Sequence, residues 1–283
     1  MAGIDADHSL GIKTHVEASM RKIAEKLKAG QILSGITFFS AAPSLIDIVG
    51  EVGMDFAMID TEHAPISVEQ ACSLVRICAA AGLSPLIRLP NNQPGPILKA
   101  LESGAEGIVI SMVETRADIS RALEAALYPP KGRRGSCPST RASGYALRDW
   151  NEHTAKANDD CLVIPLIESP KAIENLDDIF SVEGVKAVYL GPADLSQAMG
   201  LPTASFEHPA LRDILDRLVR AATARGIGVW TSTGARAPVA YVRMLVESGV
   251  RMLNFSSDEV LFANACKNCM DTFREGTGSK PGN

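Results

Sequence analysis

Residues 56–90, FAMIDTEHAPISVEQACSLVRICAAAGLSPLIRLP, hold the pattern that decides the fold. Phe56–Asp60 is a short β-rich run, Ser67–Ala81 carries apolar residues at helical spacing and stops at Gly82, and Pro85–Leu89 is a second apolar run. Near-continuous apolar strands are those buried on both faces, and a strand leading through a helix to another such strand reads as a parallel βαβ unit.

The unit recurs in both directions. Further β-rich runs stand at Ile32–Phe39, Gly107–Met112, Leu162–Ile167, Ala187–Leu190, Gly228–Trp230 and Met252–Phe255. Helical spacing marks Ala42–Val52, Gly95–Ser103, Arg116–Leu127, Pro170–Ile179, Pro209–Arg225, Pro238–Ser248 and Glu259–Phe273, several opening at Ser, Thr or Pro and stopping at Gly. Eight strands alternating with eight helices predict an α/β chain folded as a (β/α)8 TIM barrel. A doubly wound open sheet is the alternative, and no GxGxxG follows the first strand to support its dinucleotide-binding form. Val16–Ala29 predicts an N-terminal capping helix. The expected organisation is a flexible N-terminus over 1–15, one barrel domain over 16–273 and a flexible tail over 274–283. Tyr128–Asp160, rich in Pro, Gly, Ser and Arg, stands outside the alternation as a long connection.

Composition agrees with one large domain. The 283 residues would suit two domains by length, but such barrels run to about 250 residues as one. With 46% hydrophobic and 22% charged residues the chain can fill a core, which excludes global disorder. Lys and Arg number 28 against 33 Asp and Glu, so no basic field exists to hold nucleic acid. No apolar run approaches the roughly 20 residues of a membrane span and no secretory pattern opens the chain, so the expectation is a soluble cytoplasmic protein with no membrane partner. The six cysteines read as buried thiols, and Cys266-x-x-Cys269 lacks the second pair that a zinc site needs.

Barrel active sites lie at the C-terminal ends of the strands. There the first strand ends at Ser40 and the second in Asp60-Thr61-Glu62-His63, while the third contains Arg88. The fifth runs into Glu168, the sixth into Gly191-Pro192-Ala193-Asp194-Leu195-Ser196, the seventh into Thr231 and Ser232, and the eighth into Ser256 and Ser257. Glu168 and Asp194 make an oxygen-ligand site for a hard divalent cation such as Mg²⁺ or Mn²⁺, although each alone suits a helix cap or a solvated loop. His63 suits proton transfer near neutral pH. Arg88, inside an apolar strand, needs an anionic partner: either a structural ion pair with Asp60 or Glu62, or a substrate oxygen or developing enolate. The backbone N–H groups of the Gly191–Asp194 turn suit a small carboxylate, or the turn is a plain connection. Schiff-base chemistry would need a desolvated lysine at a strand end; the lysines fall elsewhere, with Lys186 at the wrong end of the sixth strand.

Asp60–Pro65 (DTEHAP), Leu86–Pro90 (LIRLP), Tyr128–Gly135 (YPPKGRRG), Leu166–Ser169 (LIES) and Gly191–Ser196 (GPADLS) resemble the HpcH/HpaI aldolase family, over roughly Gly30 to Phe273. These are metal-dependent class II pyruvate aldolases, typified by 4-hydroxy-2-oxoheptanedioate aldolase and 2-keto-3-deoxy-sugar-acid aldolases. The resemblance implies that Glu168 and Asp194 hold Mg²⁺, Mn²⁺ or Co²⁺, that His63 is the acid/base and that Arg88 stabilises the pyruvate enolate. The N–H groups around Ala193 and Asp194 would hold the pyruvate carboxylate, with Gly191, Pro192, Leu166 and Ser232 completing the substrate pocket. The implied reaction splits a 4-hydroxy-2-oxo acid into pyruvate and an aldehyde, or joins them.

Two departures stand out. Leu166 replaces a glutamine that many members carry, and Glu102 replaces an aspartate that approaches the catalytic histidine across subunits. The resemblance also implies a homohexamer of paired barrels with a swapped last helix; Glu259–Phe273 can swap in this way or cap its own barrel. Ser232, Leu166 and the loop Gly135–Trp150, with Arg141 and Tyr145, are expected to set the choice of aldehyde. Competing readings are an oxaloacetate-type decarboxylase, a citryl- or malyl-CoA lyase docking its cofactor on Arg133, Arg134 and Arg141, and a non-catalytic barrel that binds an oxo acid.

Overall fold

The computed structural model, which describes residues 23–278, resolves the apolar runs into eight parallel strands. They are β1 (Leu33–Phe38), β2 (Phe56–Asp60), β3 (Ser84–Leu89), β4 (Gly107–Ile110), β5 (Leu162–Ile167), β6 (Ala187–Leu190), β7 (Gly228–Ser232) and β8 (Val250–Ser257). Neighbours in sequence pair in order and β8 pairs back to β1, so the sheet is a closed barrel and the open-sheet alternative falls.

Between the strands run α2 (Pro43–Glu51), α3 (Val68–Ala80), α4 (Pro94–Glu102), α5 (Arg116–Ala126), α6 (Trp150–Asp160), α7 (Pro170–Glu174), α8 (Leu176–Phe180), α9 (Pro192–Ala198), α10 (Pro209–Thr223) and α11 (Val239–Glu247). Helix α1 (Ile23–Lys28) precedes β1, and α12 (Asp258–Thr277) follows β8. Local signals explain the starts: Ser67 and Thr115 form capping boxes at α3 and α5, and Pro43, Pro94 and Pro209 open their helices. Among the described residues no helix is long and apolar enough to cross a membrane.

Alternation along each strand divides the apolar residues between two cores. Leu33, Phe56, Met58, Val109, Ile164, Tyr189, Trp230 and Met252 belong to the cluster inside the barrel. Ile36, Ile59, Ile87, Ile108, Val163, Val188 and Leu253 belong to the larger one shared with the helices. Each such side chain contributes about 1.5–3 kcal/mol by burial, which is why the strands read as unbroken apolar runs. Inside, Trp230 stacks on Tyr189 at 4.2 Å and meets the Phe56 ring edge-on at 5.0 Å. Gly35 makes room for that aromatic layer, since a Cβ there would stand 2.3 Å from the Phe56 ring. Ile23 and Ala24 of α1 join the interior cluster, and Leu27 packs against it, so the helix plugs the N-terminal mouth as a cap. The remainder of the expected first helix, and residues 1–15, lie outside the described residues.

Several expectations need correction. The 128–160 connection is not loop throughout, because Asp149 caps α6 within it. The segment also lies at the N-terminal mouth: Arg141 Nη1 donates to the Ser103 carbonyl at 2.8 Å and the Ala142 N–H to that of Glu102 at 3.2 Å. It therefore cannot shape the C-terminal mouth of its own barrel. The Gly191–Ser196 turn winds into α9, and the helix expected over 170–179 is broken into α7 and α8 at Asn175. Of the thiols only Cys78 and Cys161 are buried; Cys137, Cys266 and Cys269 are exposed and Cys72 is intermediate. Helix α12 continues past Arg274 to Thr277, where Gly278 caps it at φ 67°; residues 279–283 lie outside the described residues.

Helix α12 is anchored only at its start. The buried Asp258 carboxylate accepts from the Phe39 N–H at 2.9 Å and the Ser40 N–H at 3.2 Å, tying the helix to the end of β1. Beyond that, Phe262, Cys266, Cys269 and Phe273 follow one helical line, with both phenylalanines more than half exposed.

Candidate active site

The inward rows that are apolar at mid-barrel turn polar at the C-terminal end. Two residues beyond Met58, Leu86, Val109, Leu166, Trp230 and Met252 stand Asp60, Arg88, Ser111, Glu168, Ser232 and Asn254, all on the inward side by alternation.

Arg88 is locked in place. Its Nη2 bonds to Asp60 Oδ2 and its Nη1 stands 3.3 Å from Glu62 Oε2. Asp60 is fully buried, and its other oxygen accepts the backbone N–H groups of Glu62, at 2.7 Å, and His63, at 3.1 Å. One carboxylate thus holds the guanidinium and shapes the loop that carries His63. Burial works against the Arg88 charge, but the hydrogen bond and charge of Asp60, helped by Glu62, outweigh it and raise its pKa. The structural ion pair weighed for Arg88 therefore exists, with both carboxylates, and the guanidinium it fixes faces the same mouth as Glu168. Glu62 also accepts from Ser111 Oγ at 2.6 Å and lies 3.7 Å from His63 Nε2, whose side chain is half exposed.

Glu168, just beyond β5, is buried and accepts the Met112 N–H at 2.8 Å. Met112 takes a left-handed φ of 57°, a conformation that costs a non-glycine residue about 1–2 kcal/mol. Desolvation pushes the Glu168 carboxyl up to about 7, and Glu62 and Asp194 add to the rise against Met112 and Arg88. Gly191 passes close by: a Cβ there would stand 3.0 Å from Leu166 Cδ1 and 3.2 Å from Glu168 Cβ. After it, Pro192 opens α9 and Asp194 lies exposed in its first turn.

The donor chemistry fits a divalent cation. Asp60 and Glu62 hold one guanidinium whose charge reaches Glu168, the Asp194 charge also reaches Glu168, and burial favours the neutral form of that carboxyl, a cost that a bound cation would offset. Among the described residues no group of three His, Cys, Asp or Glu forms a complete cage. Glu168 and Asp194 would supply two oxygens, with substrate and water filling the rest of the shell, as hard cations commonly allow.

Not every expected residue joins this cluster. Glu102 ends α4, at the opposite mouth from His63 of the same chain, where burial raises its pKa and Arg134 opposes the rise. Lys186 lies at that mouth too, donating to the Asp159 and Cys161 carbonyls. Ser232 lines a cleft of about 450 Å³ between α9 and the β7–α11 connection, shared with Ala193, Thr233 and Arg236. Sequence reading passed over Ser111, Tyr189 and Asn254, although their place on the inward rows was a usable signal.

The model of the HpcH/HpaI aldolase/citrate lyase family matches residues 34–265, most of the chain. The chain belongs to this family. A relative, 5-keto-4-deoxy-D-glucarate aldolase of Salmonella paratyphi C (strain RKS4594), is 31% identical over 256 residues, covering 90% of this chain and 97% of the relative. The solved HpcH/HpaI aldolase from Desulfitobacterium hafniense DCB-2 superposes with a TM-score of 0.84 at 30% identity, covering 92% and 98%. A HpcH/HpaI aldolase/citrate lyase family protein from Burkholderia cenocepacia J2315 gives 0.80 at 27%, covering 89% and 98%. Membership in the HpcH/HpaI family makes the chain an aldolase-type enzyme, a carbon–carbon lyase built on a (β/α)8 barrel.

Proposed function

We propose that the enzyme is a divalent-metal-dependent pyruvate aldolase acting between a 4-hydroxy-2-oxo acid and pyruvate plus an aldehyde. The observation that carries this is the buried Glu168, beside Asp194 and facing an arginine that Asp60 locks in place. Glu168 and Asp194 would hold a divalent cation, Mg²⁺, Mn²⁺ or Co²⁺, which when bound would supply Lewis-acid stabilisation of charge developing on the substrate.

The chain's own groups do the rest. The Ala193 and Asp194 N–H groups, in the first turn of α9, have no intrahelical partner and would hold the substrate carboxylate. His63 takes the proton of the C4 hydroxyl, the C3–C4 bond breaks, and its electron pair passes to the pyruvate fragment as an enolate. The fixed Arg88 neutralises the enolate oxygen without reorganising, and a proton delivered to C3 completes pyruvate. Gly191 and Pro192 set the turn that brings α9 to the site, and Leu166 forms its apolar floor.

The proposal extends to a cytoplasmic homohexamer. Glu102 would serve His63 of a neighbouring subunit, and the apolar line of α12 would pack on a partner barrel. The exposure of Phe262 and Phe273 supports that swap.

The test is pyruvate release from a panel of 4-hydroxy-2-oxo acids and from oxaloacetate, with EDTA and then with each metal restored. Metal-restored cleavage of a hydroxy-oxo acid is expected. Turnover of oxaloacetate alone would replace the aldolase reading with a decarboxylase.

A further inference from the structure

Glu62 has no step in the chemistry above, yet three groups of the site converge on its Oε2. Ser111 Oγ donates to it at 2.6 Å, Arg88 Nη1 stands 3.3 Å away and His63 Nε2 3.7 Å away. Of the three contacts, the one from Ser111 has the length of a hydroxyl bonded to an ionised carboxylate. The serine therefore sets where this oxygen lies.

Ser111 stands just beyond β4 and is 2% exposed, with its N–H donating to the Leu89 carbonyl at 3.1 Å. Glu62 is also fixed at its other end, where its N–H donates to Asp60 Oδ1 at 2.7 Å. Backbone and carboxylate are thus each tied to a buried group, which holds Oε2 beside a His63 ring that is 55% exposed.

A neutral imidazole carries one proton and one lone pair. A carboxylate beside Nε2 favours the proton there, which leaves the Nδ1 lone pair to take the proton of the C4 hydroxyl. His63 is then an imidazolium whose charge faces Glu62. Closing 3.7 Å to a hydrogen bond takes a small turn of a half-exposed ring, and catalytic hydrogen bonds often tighten only when substrate binds. The other charges around the pair are Asp60 of β2, Arg88 of β3 and Glu168 beyond β5. Arg88 disfavours an imidazolium and Asp60 offsets part of that, so Glu62 is the carboxylate within reach of the ring.

We propose that Glu62 is the positioning carboxylate of His63 and that Ser111 holds it in place, so that base, orienting carboxylate and hydroxyl anchor belong to one chain. The inference rests on the pyruvate-aldolase reading and goes beyond it in making His63 complete without Glu102 of a neighbour.

The experiment measures pyruvate release by metal-loaded enzyme from the 4-hydroxy-2-oxo acid of the panel above that wild type cleaves fastest. Glu62→Gln and Ser111→Ala are compared alone and combined with His63→Asn, in variants that melt normally. Gln keeps the shape of Glu62 and an oxygen for Ser111, but not the charge. The expected loss in kcat is at least about tenfold for each change, with KM within about threefold. Ser111→Thr, which keeps the hydroxyl, should recover most of it. In the His63→Asn background the same two changes should cost less than about twofold, because the group through which they act is gone. A loss that persists in full without His63 would assign the effect to Arg88 or to the fold and overturn the inference alone. Unchanged kcat in Glu62→Gln would do the same. A wild type that releases pyruvate from no hydroxy-oxo acid once metal is restored would overturn the pyruvate-aldolase reading, and the inference with it.

Discussion

At Glu168 the proposed metal-binding role competes with stability. In the folded chain its carboxyl keeps its proton up to about pH 7, against an ordinary value of 4.5. The folded state therefore binds the extra proton between those values, and stability falls as pH rises through that window and then levels off. The cost is on the order of 3 kcal/mol above pH 7. Glu168→Gln removes the charge and keeps the shape. In EDTA-treated protein at pH 8 the variant should melt higher than wild type, with the two converging near pH 5, while aldol cleavage is lost. A variant that melts lower at pH 8 would show that the carboxylate is stabilised by contacts that the burial argument omits. The sequence already pointed to Glu168, Asp194, His63 and Arg88 through their places at strand ends. It did not reveal that Asp60 holds both Arg88 and the His63 loop, because that depends on which way one fully buried carboxylate turns.

Among the elements, the strands were legible because burial on both faces leaves an unbroken apolar signature, and β2, β5 and β6 fall where the apolar runs predict them. The connections were harder, since composition marks a loop but not the end of the barrel it covers. The 128–160 segment is placed by main-chain bonds to Glu102 and Leu127 that no local pattern announces. Helix α12 was legible as an amphipathic helix, though not in what its apolar line faces. Cys266 and Cys269 lie on that line and report on it. If α12 packs on a partner barrel, both thiols in the native assembly should react with a soluble disulfide reagent at least about tenfold more slowly than in urea. Cys78, pushed up to about 12 by burial, should stay inert until unfolding. Labelling followed by peptide mass measurement separates these positions, and fast labelling of Cys266 and Cys269 in the native protein would contradict the swap.

At the scale of the whole molecule, the barrel gathers residues more than a hundred positions apart, from Asp60 to Asp194, at one mouth. Its interior is aromatic and aliphatic below and polar above, so the rigid lower layers hold the upper groups in place for charge stabilisation. The central claim is that this mouth forms a pyruvate enolate with the help of a cation and Arg88. The most direct measurement is the loss of pyruvate C3 protons to D₂O, followed by proton NMR without any aldehyde. The account predicts exchange in the presence of Mg²⁺ or Mn²⁺, its abolition by EDTA, and a loss of at least about a hundredfold in Arg88→Lys, which keeps the charge but not the two-pronged hold on Asp60 and Glu62. Exchange that persists in EDTA, or that Arg88→Lys leaves intact, would contradict it.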